Sequence, residues 1–240
     1  MSVEDSASQR REDTGVTVEH PDLRPARPVV TLAAFYGAGG TVVGPRVAER
    51  LGVEFLDRGI LSAVAQRMRV PEETAAAYDE SSSQPESGVG RLLGSLARVR
   101  ISDAAPMDTL ELDEHRYRAE TEEFIAAAAV SGGVVLGRGG FVILGSMPGV
   151  LHVLLAGPRE ARIRQGMALE GVDRKTAERR QQANDRARVE YVGRAYGVNP
   201  LDPDNWHLRI DSTAIDLDTC VDLVVTASQA RMRQAQARRG

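Results

Sequence analysis

Cysteine is almost missing from this chain: Cys220 is the only one in 240 residues, so neither an internal disulfide nor a cysteine metal cluster can form. A lone thiol suits a reducing compartment, and Cys220 reads as a small apolar residue of the last helix. Aromatic residues make up 4% of the sequence, with Trp206 the single tryptophan, too few for a platform that stacks single-stranded nucleic acid. No apolar run reaches the ~20 residues of a spanning helix, and no charged start followed by a hydrophobic block marks a signal peptide. A formal net charge of −4 removes the basic excess of a general nucleic-acid binder. His20, His115, His152 and His207 lack metal-ligand spacing, and His152 inside an apolar strand reads as a satisfied core histidine. The expectation is a soluble, cytoplasmic protein with a small-molecule partner, and with neither a membrane nor a long nucleic acid.

What is present suffices for a full core, since 42% of the residues are hydrophobic, enough for one large domain or one domain with an inserted part. Residues 1–27 are charged, short of large apolar groups and punctuated by proline, and read as a disordered tail. Residues 28–230 read as a single domain, with a basic tail over 231–240. Apolar strands are expected at residues 29–35, 53–56, 134–137, 150–156 and 206–211, separated by helices. Helices are expected at 71–78, 92–100 and 110–131, the last burying Tyr117, Phe124, Ile125 and Ala128, with a polar loop at 81–88. Short strands alternating with helices imply an α/β fold around a five-stranded, mainly parallel sheet, whose ligands gather at the carboxyl ends of the strands.

The densest signal is residues 29–52, VVTLAAFYGAGGTVVGPRVAERLG, which reads as strand, glycine-rich turn and amphipathic helix. Val29, Val30, Leu32, Ala33, Ala34 and Phe35 form a run suited to a parallel strand covered on both faces. Val43, Val47 and Leu51 recur every four residues, and Gly52 stops the helix. Gly37, Gly39 and Gly40 let the backbone turn tightly and bring N–H groups to an anion at the helix start. A Walker A loop would follow with Lys and Ser/Thr; here Pro45 and Arg46 follow Gly44. On the motif alone, a ligand-free turn stays open beside a phosphate cradle.

Arginines form the second group, from Arg159, Arg162 and Arg164 through Arg174, Arg179, Arg180, Arg186, Arg188 and Arg194. Asp185, Arg188 and Tyr191 are spaced to share a helix face, and Arg180 aligns with Arg188. Guanidinium groups gathered in an acidic protein suit a small polyanion, and phosphoryl transfer is catalysed chiefly by positioning and charge neutralisation. A solvated arginine face with local ion pairs is the plain alternative.

Together these residues resemble the cytidylate kinase-like family of P-loop nucleoside monophosphate kinases, over residue 29 to about 225. FYGAGGTVVGPRVAERLG resembles that family's loop, in which a Tyr-Gly-Ser-Gly-Gly type sequence replaces the Walker lysine. FLDRGIL at 55–61, VVLGRGGFVIL at 134–144, NDRARVEY at 184–191 and HLRIDST at 207–213 resemble its further motifs. The resemblance implies a P-loop kinase-like fold with a helical acceptor-binding region near 58–130 and an arginine-rich lid near 158–196. It implies transfer of the ATP γ-phosphoryl group, with Mg²⁺, to CMP, dCMP or a related small phosphate acceptor. Gly37, Ala38, Gly39, Gly40 and Thr41 would cradle the donor phosphates, with the Thr41 hydroxyl toward Mg²⁺. Asp57, Arg58 and Arg138 would line the acceptor side. Arg188, with Arg180 or Arg162, would neutralise the moving group, and Asp185 would aim Arg188.

Two departures stand out. Gly139 stands where ordinary cytidylate kinases carry the aspartate of Gly-Arg-Asp, and the phosphate loop has no lysine to neutralise charge. Three readings follow: an active nucleoside monophosphate kinase, a kinase for a small non-nucleotide acceptor, and a catalytically weak nucleotide sensor on the same fold.

Overall fold

The central strand of this protein is the first one, and both of its faces are covered. In the computed structural model, residues 25–69, 107–145 and 147–238 are described. The helices expected at 71–78 and 92–100, the loop at 81–88 and residues 1–24 of the tail lie outside them. Chain order is β1 (Val29–Ala34), α1 (Gly40–Leu51), β2 (Glu54–Leu56), α2 (Arg58–Met68), α3 (Met107–Ser131), β3 (Gly133–Leu136), α4 (Gly140–Ile143), β4 (Leu151–Ala156), α5 (Arg159–Glu170), α6 (Arg174–Tyr196), a 3₁₀ turn (Pro203–Asn205), β5 (Leu208–Asp211) and α7 (Leu217–Ala237). The five strands form one sheet, ordered β2-β3-β1-β4-β5, and every pairing is parallel.

Every residue of β1 is buried, which is why its sequence is continuously apolar rather than alternating. Val30, Leu32 and Ala34 pack with Val43, Val47, Val221 and Val224, under α1 and α7. Val29 and Ala33 face the opposite layer, with Ile60, Val64, Tyr117, Ile125, Phe141 and Trp206. Each fully buried Val, Leu, Ile or Phe contributes about 1.5–3 kcal/mol, so this double cover fixes the end of β1, where the chain turns into the phosphate loop.

On α3 the buried stripe is Tyr117, Thr121, Ile125 and Ala129, one residue every four, with Phe124 and Ala128 at its margin. The Thr121 hydroxyl is satisfied by donating to the Tyr117 carbonyl at 2.8 Å. The fifth strand starts two residues later than the apolar pattern suggests. Trp206 caps the 3₁₀ turn instead: its backbone N–H donates to the Pro203 carbonyl at 3.1 Å and its indole N–H to the Pro200 carbonyl at 3.0 Å. At the other end, the Ala26 N–H donates to the Val130 carbonyl at 3.0 Å, so the backbone is engaged before β1 begins.

His152 is the core residue its strand context suggests. It pairs in register with Thr31, the hydroxyl of which lies 2.8 Å from His152 Nδ1. The His207 ring stacks on it at 4.7 Å. Burial lowers its pKa to about 3, with His207 and Arg231 adding to the effect, so this imidazole stays neutral. Cys220 is buried.

Candidate active site

The loop after β1 has its peptide groups pinned from behind. The Ala38 N–H donates back to the Phe35 carbonyl at 2.9 Å. The Tyr36 carbonyl accepts from Arg162 Nη1 at 2.8 Å, the Gly37 carbonyl from Gln165 Nε2 at 2.9 Å, and the Ala38 carbonyl from Ser212 Oγ at 2.8 Å. In a trans peptide the N–H points opposite to its carbonyl. Holding the Tyr36 and Ala38 carbonyls therefore directs the Gly37 and Gly39 N–H groups to the other side. Among the described residues, the N–H groups of Gly37, Gly39, Gly40 and Thr41 have no protein acceptor. Gly37 and Gly39 hold φ of 72° and 77°, left-handed values that glycine adopts without strain. A Cβ on Gly37 would lie 1.9 Å from the Arg162 carbonyl oxygen. The result is a nest of N–H groups at the start of α1, with Gly39 as the N-cap, the geometry that attracts an anion. Thr41 stands at this start with an exposed side chain. Arg46 is half-buried and pairs with the exposed Asp218 on α7.

The arginine-bearing segment is a helical hairpin, α5 and α6, that lies against this loop. Arg162 is 7% exposed. Its Nε donates to the Gly157 carbonyl at 3.0 Å, and its Nη2 lies 2.8 Å from Asp185 Oδ2. Asp185 also accepts from the Tyr36 N–H at 2.9 Å and from Gln181 Nε2 at 2.8 Å, while Gln181 accepts from Arg159 at 2.8 Å. Arg180 donates to Glu170 at 2.6 Å. Arg188 faces a different space, a cleft that it lines with Phe35, Phe141, Leu154, Trp206 and Gly139. Asp185 and Arg188 are thus both on α6, Asp185 joined to Tyr36 at the loop, to Arg162 and to Gln181, and Arg188 at the cleft.

Across the carboxyl ends of the strands, Arg138 and Asp57 form an ion pair at 3.1 Å. Arg138 is 5% exposed and holds a φ of 55°, a left-handed conformation uncommon for any residue with a Cβ. Arg58 is the first residue of α2. Gly139 explains itself sterically: a Cβ there would stand 2.4 Å from the Tyr196 ring, so Tyr196 occupies the volume a larger residue would need. After β5, Asp211 Oδ1 accepts from the Thr213 N–H and hydroxyl at 3.0 and 2.6 Å, contacts that hold its carboxyl below the usual range. These contacts close a turn after β5, and Ser212 within it reaches the glycine-rich loop through the Ala38 carbonyl.

The sequence singles out the loop glycines, Asp57, Arg138 and the hairpin arginines, and the structure brings Asp57 to Arg138 and Arg162 to the loop. Sequence reasoning misses Tyr36, Gln165, Glu170, Gln181 and Ser212 as parts of the same assembly. One local signal exists, Gly166 in the middle of α5, where a Cβ would stand 2.6 Å from the Tyr36 ring.

A five-stranded parallel sheet with a glycine nest after its central strand, and an arginine-bearing hairpin after β4, defines a P-loop kinase-like α/β protein. The sequence model of the cytidylate kinase-like family matches residues 29–214, and this chain belongs to that family. It is 30% identical over 131 residues to a uronate isomerase of Corynebacterium glutamicum, a match covering 55% of this chain and 25% of that protein. The chain thus spans about a quarter of the length of that curated relative. In fold it is similar to an uncharacterized protein from Eubacterium ventriosum, with a TM-score of 0.60 and 18% identity over 85% of this chain and 100% of the other. A shikimate kinase from Bacteroides thetaiotaomicron aligns at a TM-score of 0.45 and 13% identity, over 85% and 99% of the two chains. No helix among the described residues is long and apolar enough to cross a membrane.

Proposed function

We propose that this protein is an ATP-dependent phosphotransferase that moves the γ-phosphoryl group to CMP, dCMP or a related small phosphate acceptor. One observation carries the reading: Gly37, Gly39, Gly40 and Thr41 present N–H groups without protein acceptors, in a loop pinned by Arg162, Gln165 and Ser212. Such a nest suits the donor phosphates, because preorganised dipoles need no rearrangement when charge develops. Arg188, at the neighbouring cleft, is suited to neutralise charge on the transferring group, the role arginine fulfils in phosphoryl transfer. Arg162 and Arg180, paired with Asp185 and Glu170, hold together the hairpin that carries Arg188. Arg138, held by Asp57, is suited to an acceptor phosphate, and Arg58, the first residue of α2, is proposed for the acceptor side with it.

Among the described residues, no three His, Cys, Asp or Glu side chains are grouped to hold a metal. The Thr41 hydroxyl is the donor the chain offers there. This fits Mg²⁺, which keeps waters and phosphate oxygens as most of its ligands. Bound Mg·ATP supplies the phosphoryl group, and the residues above bind and orient it.

The test is ADP formation from Mg·ATP with CMP, dCMP, UMP, AMP and GMP, with Arg188→Ala as the control. Turnover of CMP or dCMP that the substitution lowers at least a hundredfold supports the reading. A second reading, a nucleotide sensor with little catalysis, is favoured by the Arg162 charge being spent on Asp185 in a loop without lysine. Binding of Mg·AMP-PNP with no turnover of any acceptor would establish it.

A further inference from the structure

Tyr36 immediately precedes the loop glycines, yet almost everything it touches belongs to the α5–α6 hairpin. Its N–H donates to Asp185 Oδ1 at 2.9 Å, and its carbonyl accepts from Arg162 at 2.8 Å. Its hydroxyl donates to Glu170 Oε2 at 2.9 Å, the same oxygen that takes Arg180 at 2.6 Å. Its ring sits where a side chain on Gly166 would project and packs with Ile163 and Ala177. Tyr36 is 6% exposed, and burial with the Glu170 contact raises its hydroxyl pKa, which keeps it a donor.

These contacts reach both helices of the hairpin and both ends of one residue's backbone. A shift of α5 relative to the loop must rotate the Tyr36–Gly37 peptide, because Arg162 holds its carbonyl. The Gly37 N–H is the other end of that same peptide. A shift of α6 moves Asp185, and with it Arg188 one turn further along the helix.

We propose that Tyr36 is a positioning residue that couples the seating of the hairpin to the phosphate nest, so that filling the nest and placing Arg188 occur together. This rests on the nest being an anion site, as in the function proposed above. Arg162 and Asp185 clamp the Tyr36 backbone, while the ring and hydroxyl lock into α5. Side-chain truncation should leave the nest able to bind but should free the hairpin from its state.

Hydrogen exchange read by mass spectrometry, on the whole protein with and without Mg·AMP-PNP, tests this. In the wild type the nucleotide slows exchange in residues 36–42 and in α5 and α6, by about tenfold in the hairpin, within the usual range for coupled sites. In Tyr36→Ala the loop stays protected and the hairpin response falls below about twofold. A purely structural role would loosen the hairpin equally with and without nucleotide. Wild-type protection of the hairpin in Tyr36→Ala overturns the coupling and leaves the nest reading intact. No protection anywhere in the wild type overturns the nest reading and the coupling with it.

Slow exchange in β1 and β4 checks that the variant is folded. Should Tyr36→Ala unfold, Tyr36→Phe removes the hydroxyl contact to Glu170 with the ring retained. It lowers the hairpin response to nucleotide while the loop stays protected. A wild-type hairpin response in Tyr36→Phe would overturn the proposal.

Discussion

Arg162 and Asp185 lie 2.8 Å apart, from one helix of the hairpin to the other, with 8% and 16% of their side chains exposed. The pair is more than a link between helices, since Arg162 also holds the Tyr36 carbonyl and Asp185 the Tyr36 N–H. Removing one member leaves a shielded charge without its partner. Breaking such a pair costs about 3–5 kcal/mol, whereas replacing both members costs far less. Arg162→Met and Asp185→Ala should each lower stability by about 3 kcal/mol in urea denaturation. The double variant should lose clearly less than the sum, and strict additivity would show that the two do not interact energetically.

At Gly139, restoring the aspartate of the Gly-Arg-Asp pattern should fail. The residue caps α4 with a φ of 68°, and any Cβ meets the Tyr196 ring at 2.4 Å. Backbone strain alone costs of order 1–3 kcal/mol. Gly139→Ala should therefore lose at least about 2 kcal/mol with the steric clash added. Gly139→Asp should be no more stable and should show no gain with CMP. A Tm for Gly139→Ala equal to that of the wild type would contradict the geometry.

His152 gives the fold a measurable acid sensitivity. Its pKa falls from 6.5 to about 3 on folding. Below pH 6.5 the unfolded chain therefore takes up a proton that the folded chain refuses. Stability contributed by this group is full above pH 6.5 and declines as pH falls toward 3. The loss at pH 5 is about 2 kcal/mol, from the linkage between protonation and folding. Comparison of urea unfolding at pH 7.5 and 5.0 reads it. His152→Gln should remove this part of the pH dependence, while the aspartates held low by hydrogen bonds, such as Asp211, act only at lower pH.

How much of this is visible in the chain depends on the range of the interactions. The strands are legible because burial on both faces writes itself locally, as in the unbroken apolar run of β1. The phosphate loop is legible because Gly37 and Gly39 answer a backbone requirement within a few residues. Asp57 and Arg138 can each be picked out, but not their pairing, which joins residues 81 apart. Tyr36 is hidden altogether, because its partner Asp185 is 149 residues away. Gln181 stands among the arginines with no local signal of its own, yet it bridges Arg159 to Asp185. The order of the sheet is likewise set by packing between distant helices rather than by any segment alone.

Ser212 offers the most direct test of how the nest is held. It is 1% exposed, and its hydroxyl lies 2.8 Å from the Ala38 carbonyl and 3.2 Å from the Ala156 carbonyl. By fixing the Ala38–Gly39 peptide from behind, it keeps the Gly39 N–H turned to the opposite side. Ser212→Ala removes the donor while preserving packing, so its cost in stability should stay near 1 kcal/mol. Its effect on Mg·AMP-PNP should be larger than that modest loss would suggest in a purely structural residue, with affinity about threefold to tenfold weaker by calorimetry. Thr213→Ala, which removes a contact to Asp211 rather than to the loop, should leave nucleotide affinity unchanged. Equal affinities for the wild type and Ser212→Ala would mean that the loop keeps its shape without this tie, and that Arg162 and Gln165 alone orient the nest.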